Sequence, residues 1–165
     1  MASESHPISR ADDVAAIYDQ FAPRLYAVAV RLLGVREEAE ECVQDLFVAL
    51  VRSRTDRVEI TDLRAYLFSA LRHAVGQRAN AHGRREQLHA VLERTGEPQS
   101  AAPDEGASRA LQSLPEEQRE VVALKIDGQL TFAEIAETMG TSLNTAASRY
   151  RYALERLRAQ LGEVA

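Results

Sequence analysis

Six side chains near the C-terminus, Asn144, Thr145, Ser148, Arg149, Arg151 and Tyr152, combine hydrogen-bonding and cationic groups at close spacing. A guanidinium can fork onto the two major-groove acceptors of guanine or grip a phosphate. At helical periodicity all six fall on one arc, Arg151 near its middle and Arg149 toward its edge. The opposite arc is apolar: Leu143, Ala146, Tyr150, Ala153, Leu154, Leu157 and Leu161 recur at the spacing of an amphipathic helix.

Such an arc needs a support that presents it. Thr131 followed by Glu134 reads as a capping box opening a short helix, with Ile135, Ala136 and Met139 on its apolar face. Gly140 suits a left-handed helix stop, and Thr141 or Ser142 can cap the next helix. Short helix, tight turn and longer basic helix make a helix-turn-helix, whose second helix enters the major groove of DNA. An ordinary helical hairpin with a solvated basic face has the same spacing.

Two further faces carry chemistry. A helix from Glu37 to about Arg52 buries Ala39, Cys42, Val43, Leu46, Phe47 and Leu50 and turns Glu40, Glu41, Gln44 and Asp45 outward. The next helix, capped by Thr61 or Asp62, has Leu63, Tyr66, Leu67, Ala70, Leu71, Ala74 and Val75 as its apolar stripe. Arg64, Arg72, Arg78, Arg84 and Arg85 stud its outside, with His73 and Gln77. Arginines beside amides and Tyr66 or Phe68 suit phosphate contact and base stacking on single strands. A solubilising helix face is the plainer alternative for both surfaces. Gly76 and Gly83 lower helix propensity there, so the helix end is expected to fray.

Ahead of these, Val14, Ile17, Tyr18 and Phe21 line a helix starting at a Ser9–Asp12 capping box, which Pro23 should kink or restart before it ends at Gly34. Asp56 to Thr61 reads as a loop. Residues 95–109, rich in Pro, Gly, Ser and acid and without apolar period, read as a flexible linker. Beyond it Leu114 and Pro115 open a helix, proline being tolerated at the first helical position, with Val121, Val122, Leu124 and Ile126 along it and Asp127–Gly128 ending it.

Composition sets the frame. The chain has 165 residues, 45% hydrophobic and only 5% aromatic, with no Trp. Ala, Leu, Glu and Arg dominate, so the expected fold is all-α: two small helical domains, 1–94 and 110–165, joined by the linker, the second a helix-turn-helix. No apolar run approaches the ~20 residues of a membrane span, and the polar N-terminus is unlike a signal peptide, so a cytoplasmic protein without membrane insertion is expected. The single Cys42 excludes an internal disulfide. No catalytic constellation, metal-ligand spacing or phosphate-binding loop is visible, so no enzyme, metal or cofactor is expected. The formal net charge of −5 counts against a self-sufficient DNA binder, because non-specific affinity comes from cations neutralising phosphates.

Two separated motifs align with one family. YDQFAPRLYAVAVRLLG, EEAEECVQDLFVAL and LRAYLFSALRHAVGQR resemble region 2 of the extracytoplasmic-function (ECF) sigma factors of bacterial RNA polymerase, in the sigma-70 superfamily. LQSLPEEQREVVALKIDGQLTFAEIAETMGTSLNTAASRYRYALERLR resembles their region 4. The resemblance implies a promoter-specificity subunit that directs transcription initiation. It implies that Glu40, Glu41, Gln44, Asp45 and Phe47 dock on the clamp helices of the polymerase's largest subunit. By the same resemblance Arg64, Tyr66, Arg72, His73, Gln77, Arg78, Arg84 and Arg85 meet the −10 promoter element. The helix carrying Asn144, Thr145, Ser148, Arg149, Arg151 and Tyr152 enters the −35 element. Expected partners are the polymerase core, at clamp helices and flap, promoter DNA, and an anti-sigma factor. His73 stands where the family usually has Asn, Gln77 near its usual Asp, and Tyr66 for Trp, departures that leave the promoter sequence open. A stand-alone regulator and a decoy that sequesters an anti-sigma factor are the competing readings.

Overall fold

The computed structural model describes residues 11–55, 62–89 and 105–162, with side chains described for 14–52, 62–81 and 106–162. Among these residues seven α-helices run in order: α1 Ala11–Leu33, α2 Arg36–Thr55, α3 Leu63–His89, α4 Glu105–Gln112, α5 Glu116–Ile126, α6 Phe132–Met139 and α7 Leu143–Gly162. No strand occurs among the described residues. The expected Ser9 cap, the loop at Asp56–Thr61 and linker residues 95–104 lie outside them.

The first three helices form one unit because each has an apolar face to bury. Leu25, Val28 and Ala29 of α1, Ala39, Cys42 and Leu50 of α2, and Leu67 and Leu71 of α3 are all within 1% of full burial. Pro23 does not interrupt α1, which runs 23 residues through it. Asp19, whose carbonyl loses its intrahelical partner at the proline, is exposed, as are Gln20 and Pro23, so water can satisfy the freed group. Gly34 ends α1 in the left-handed region, φ 74°, with its amide donating to the Val30 carbonyl. Asp62 caps α3, its Oδ1 accepting from the Ala65 amide at 3.1 Å. α3 continues past Gly76 and Gly83 to His89, contrary to the expected fraying. Burial of Leu67, Leu71 and Val75 along its first part outweighs the weak propensity of Gly76.

The second unit, α4–α7, differs from expectation in three places. Residues 105–109, assigned to the linker, form the first turns of α4, whose Ala110 and Leu111 are buried. Pro115 is the N-cap of α5, at φ −52° and ψ 144°, one residue before the first helical position. Ile126 is 52% exposed, while Val121, Val122, Ala123 and Leu124 are buried.

The two units pack on each other. One continuous core holds Phe21, Leu25, Phe68 and Leu71 from the first together with Val121, Leu124, Leu130 and Ile135 from the second. Phe68, offered as a base-stacking side chain, has no exposed surface; its ring lies under the α5–α6 turn. There a Cβ on Gly128 would stand 2.7 Å from the Leu124 carbonyl oxygen and 3.2 Å from that ring, so only glycine admits the approach. The left-handed residue of this turn is the next one, Gln129 at φ 56°.

Candidate docking and nucleic-acid surfaces

The helix-turn-helix is built by local chemistry. The Thr131 hydroxyl accepts from the Glu134 amide at 3.2 Å and opens α6. Gly140 closes it at φ 64° and ψ 38°, and its amide donates back to the last turn. Ser142 caps α7, its Oγ accepting from the Thr145 amide at 3.1 Å. Ile135, Ala136, Met139 and Ala146 are buried where the helices cross. Phe132 and Tyr150 meet edge to face with centroids 5.4 Å apart, and the Lys125 ammonium sits 4.6 Å over the Phe132 ring.

This frame exposes Asn144, Arg151 and Tyr152, with Thr145, Ser148 and Arg149 half-buried. Arg151 lies 5.2 Å over the ring of Tyr152, whereas Arg149 Nη2 is paired at 3.2 Å with Glu117 of α5. Leu143 and Leu161, expected to face inward, are 54% and 45% exposed. They lie at the two ends of α7, where the neighbouring helices no longer cover it.

The arginine helix divides by face. Tyr66, His73 and Gln77, seven and four residues apart, share one side of α3, His73 and Gln77 exposed and Tyr66 half-buried. Exposed Ser69 and Asn80 lie on that side as well. The described arginines point elsewhere. Arg64 Nη1 is 3.4 Å from Glu134 of α6, and Arg72 Nε is 2.8 Å from Glu120 of α5. Arg78 reaches back to α2, with Nη1 3.1 Å from Glu41 and Nη2 2.8 Å from Asp45. Arg84 and Arg85 lie in α3, but their side chains are outside those described. A third pair ties the units together: Arg31 Nε and Nη2 are 3.0 and 3.5 Å from the two oxygens of Asp127.

On α2, Glu40, Glu41, Gln44 and Asp45 are exposed, as the spacing predicts. Phe47 is 6% exposed and stacks edge-on against Tyr18, centroids 4.9 Å apart, so it supports the face from beneath instead of lying on it. Cys42 is buried below, and burial pushes its thiol pKa up, which keeps it protonated and unreactive. Between α1 and α2 runs a cleft of about 530 Å³ lined by Tyr18, Asp19, Pro23, Tyr26, Glu40 and Gln44. The sequence pattern does not reveal the cleft, because it arises only when two helices meet.

Residues 17–85 match the family Sigma-70 region 2, and residues 110–159 match Sigma-70, region 4. The RNA polymerase sigma factor CarQ of Myxococcus xanthus is 31% identical over 156 residues, covering 90% of this chain and 88% of CarQ. The chain is an ECF sigma factor of the sigma-70 family. The ECF sigma factor SigL of Mycobacterium tuberculosis is 30% identical over 162 residues, with 90% and 89% covered. The fold of this ECF factor matches that of the sigma factor RpoE in complex with the anti-sigma factor NepR from Bartonella quintana. The TM-score is 0.74 at 23% identity, over 92% of this chain and 98% of that one. CnrH in complex with the cytosolic domain of CnrY gives 0.70 at 21% identity, over 95% and 92%. In this ECF factor no described helix is long and apolar enough to cross a membrane.

Proposed function

We propose that this ECF sigma factor directs RNA polymerase to promoters with a division of labour among three helices. The outer face of α2 docks on the polymerase core. The side of α3 bearing Tyr66, His73 and Gln77 meets the −10 element, and the exposed arc of α7 reads the −35 element. The supporting observation is the pairing of an acidic, exposed α2 face with a helix-turn-helix capped at Thr131, Gly140 and Ser142, in the family's order. A self-sufficient DNA regulator would have no use for the α2 face, and a net charge of −5 disfavours unaided binding.

In the free chain Arg64 and Arg72 are held by Glu134 and Glu120, so DNA has to displace two carboxylates to use them. The unit boundaries follow the same proposal, with α1–α3 for core and −10 contacts and α4–α7, from Glu105 onward, for the −35 contact. The solved structure of RpoE of similar fold is in complex with the anti-sigma factor NepR, and an anti-sigma factor is proposed as a further partner.

Reversing charge at Glu41 and Asp45 together tests the docking role. Co-purification with core polymerase should be lost while the circular dichroism spectrum is unchanged; undiminished binding contradicts the assignment.

A further inference from the structure

Arg149 and Arg151 stand two residues apart on α7, yet the fold treats their guanidiniums differently. Arg151 is exposed and lies 5.2 Å over the Tyr152 ring. Arg149 is drawn the other way: its side chain is 25% exposed, and Nη2 lies 3.2 Å from Oε2 of Glu117 on α5. Ala146 is fully buried and marks the inward side of α7. At 3.6 residues per turn Arg149 stands about 60° around the helix from it and Arg151 about 140°. Arg149 therefore occupies the flank of the arc, beside the side that packs inward.

Glu117 is a fixed anchor for it. It lies in the first turn of α5, two residues past the N-cap Pro115, which supplies no side-chain capping bond. A carboxylate there answers the positive end of the helix dipole, so its place is favourable before Arg149 is considered. α5 is in turn fixed on α7, because Leu114 and Val122 bury against Ala153 with Tyr150 and Leu157 packed beside them.

Glu117 keeps 65% of its side chain exposed, so the pair adds little to stability. Its consequence is directional. A guanidinium has five N–H donors in a rigid fork, and pairing through Nη2 leaves others for a phosphate at the groove's rim. Forking onto guanine requires the group to leave Glu117 and swing toward the middle of the arc.

We infer that Glu117 is a specificity-determining residue: it holds Arg149 at the edge of the recognition helix, confining that arginine to the DNA backbone and leaving base reading to Arg151. This rests on the −35 reading proposed above for α7. Glu117 itself meets no base; it is a positioning residue that acts through Arg149. Without its carboxylate, Arg149 can extend over the arc, and the chain acquires a second arginine-read base.

The test is a −35 promoter library transcribed by holoenzyme reconstituted with full-length protein. The variants are Glu117→Ala, Glu117→Gln, Arg149→Ala, Arg151→Ala and the double variant Glu117→Ala with Arg149→Ala. Glu117→Ala should raise output about threefold on promoters with guanine at one −35 position to which wild type is indifferent, the size of an exposed ion pair's contribution. The gain should be smaller in Glu117→Gln, which keeps an acceptor, and absent from the double variant. A merely structural role for Glu117 gives no new base preference. If Glu117→Ala changes every −35 sequence by one factor, or the new preference survives in the double variant, the inference is overturned. If Arg151→Ala shifts preference at one position while Glu117→Ala keeps the wild-type pattern, the inference falls and the −35 reading stands. If Arg149→Ala and Arg151→Ala both leave output unchanged, α7 does not read the −35 element and both fall.

Discussion

Arg72 of α3 and Glu120 of α5 meet at 2.8 Å, with the carboxylate 13% exposed and the guanidinium 39% exposed. Together with Arg31–Asp127 and Arg64–Glu134, this contact joins the two helical units through cations of the first and anions of the second. Arginines that can serve DNA are therefore occupied while the units are closed on each other.

Neutralising Glu120, Asp127 and Glu134 to their amides should tighten binding of the free protein to duplex DNA about fivefold at low salt. A control variant neutralised at exposed Glu116, Glu137 and Glu155 carries the same net charge. It should tighten binding less, since it releases no described inter-unit pair. Equal effects in a salt-titrated anisotropy assay mean that net charge alone governs binding.

Phe68 is expected to be a stability residue. Phe68→Ala should cost about 3–5 kcal/mol in urea unfolding, because a large aromatic leaves a cavity under the α5–α6 turn. Tyr66→Ala, at a half-buried position, should cost well under that and act instead on −10 preference. Similar losses for both in the unfolding curves contradict the division of α3 by face.

Two glycines should respond with opposite sign. Gly140 is left-handed at φ 64°, so Gly140→Ala should destabilise by about 1 kcal/mol. Gly76 has nothing within 4 Å of an added Cβ and sits inside α3, so Gly76→Ala should stabilise by about 0.5–1 kcal/mol. Thermal melts of the two variants decide it.

The contrast between these elements shows what a sequence can carry. Thr131, Gly140 and Ser142 were legible because caps and stops are chemistry between residues two to four apart. The inward set of α2 was legible because one helix with one buried face has a clear period. α3 was legible only in part: Leu67, Leu71 and Val75 are buried as its period predicts, but Phe68 and Arg72 face the second unit, where Gly128 and Glu120 meet them. No single-helix pattern distinguishes an arginine that meets DNA from one that meets a carboxylate 48 residues away.

On α7, Arg151 is exposed over Tyr152 whereas Arg149 is tied to Glu117, in keeping with different roles. With reconstituted holoenzyme, Arg151→Ala should cost about 1–3 kcal/mol at one −35 base position and relax preference there. Arg149→Ala should weaken all promoters alike and lower the salt slope by about one unit. Equal losses on every promoter for both variants would remove the distinction.

The central claim is that the chain confers promoter specificity on RNA polymerase. Its most direct measurement is transcription in vitro from a promoter library by purified core polymerase, with and without this protein. The account predicts transcripts that start at a defined subset of promoters only when the protein is present, with shared −35 and −10 elements upstream. No added transcripts, together with tight sequence-specific binding of the protein alone to duplex DNA, would contradict it.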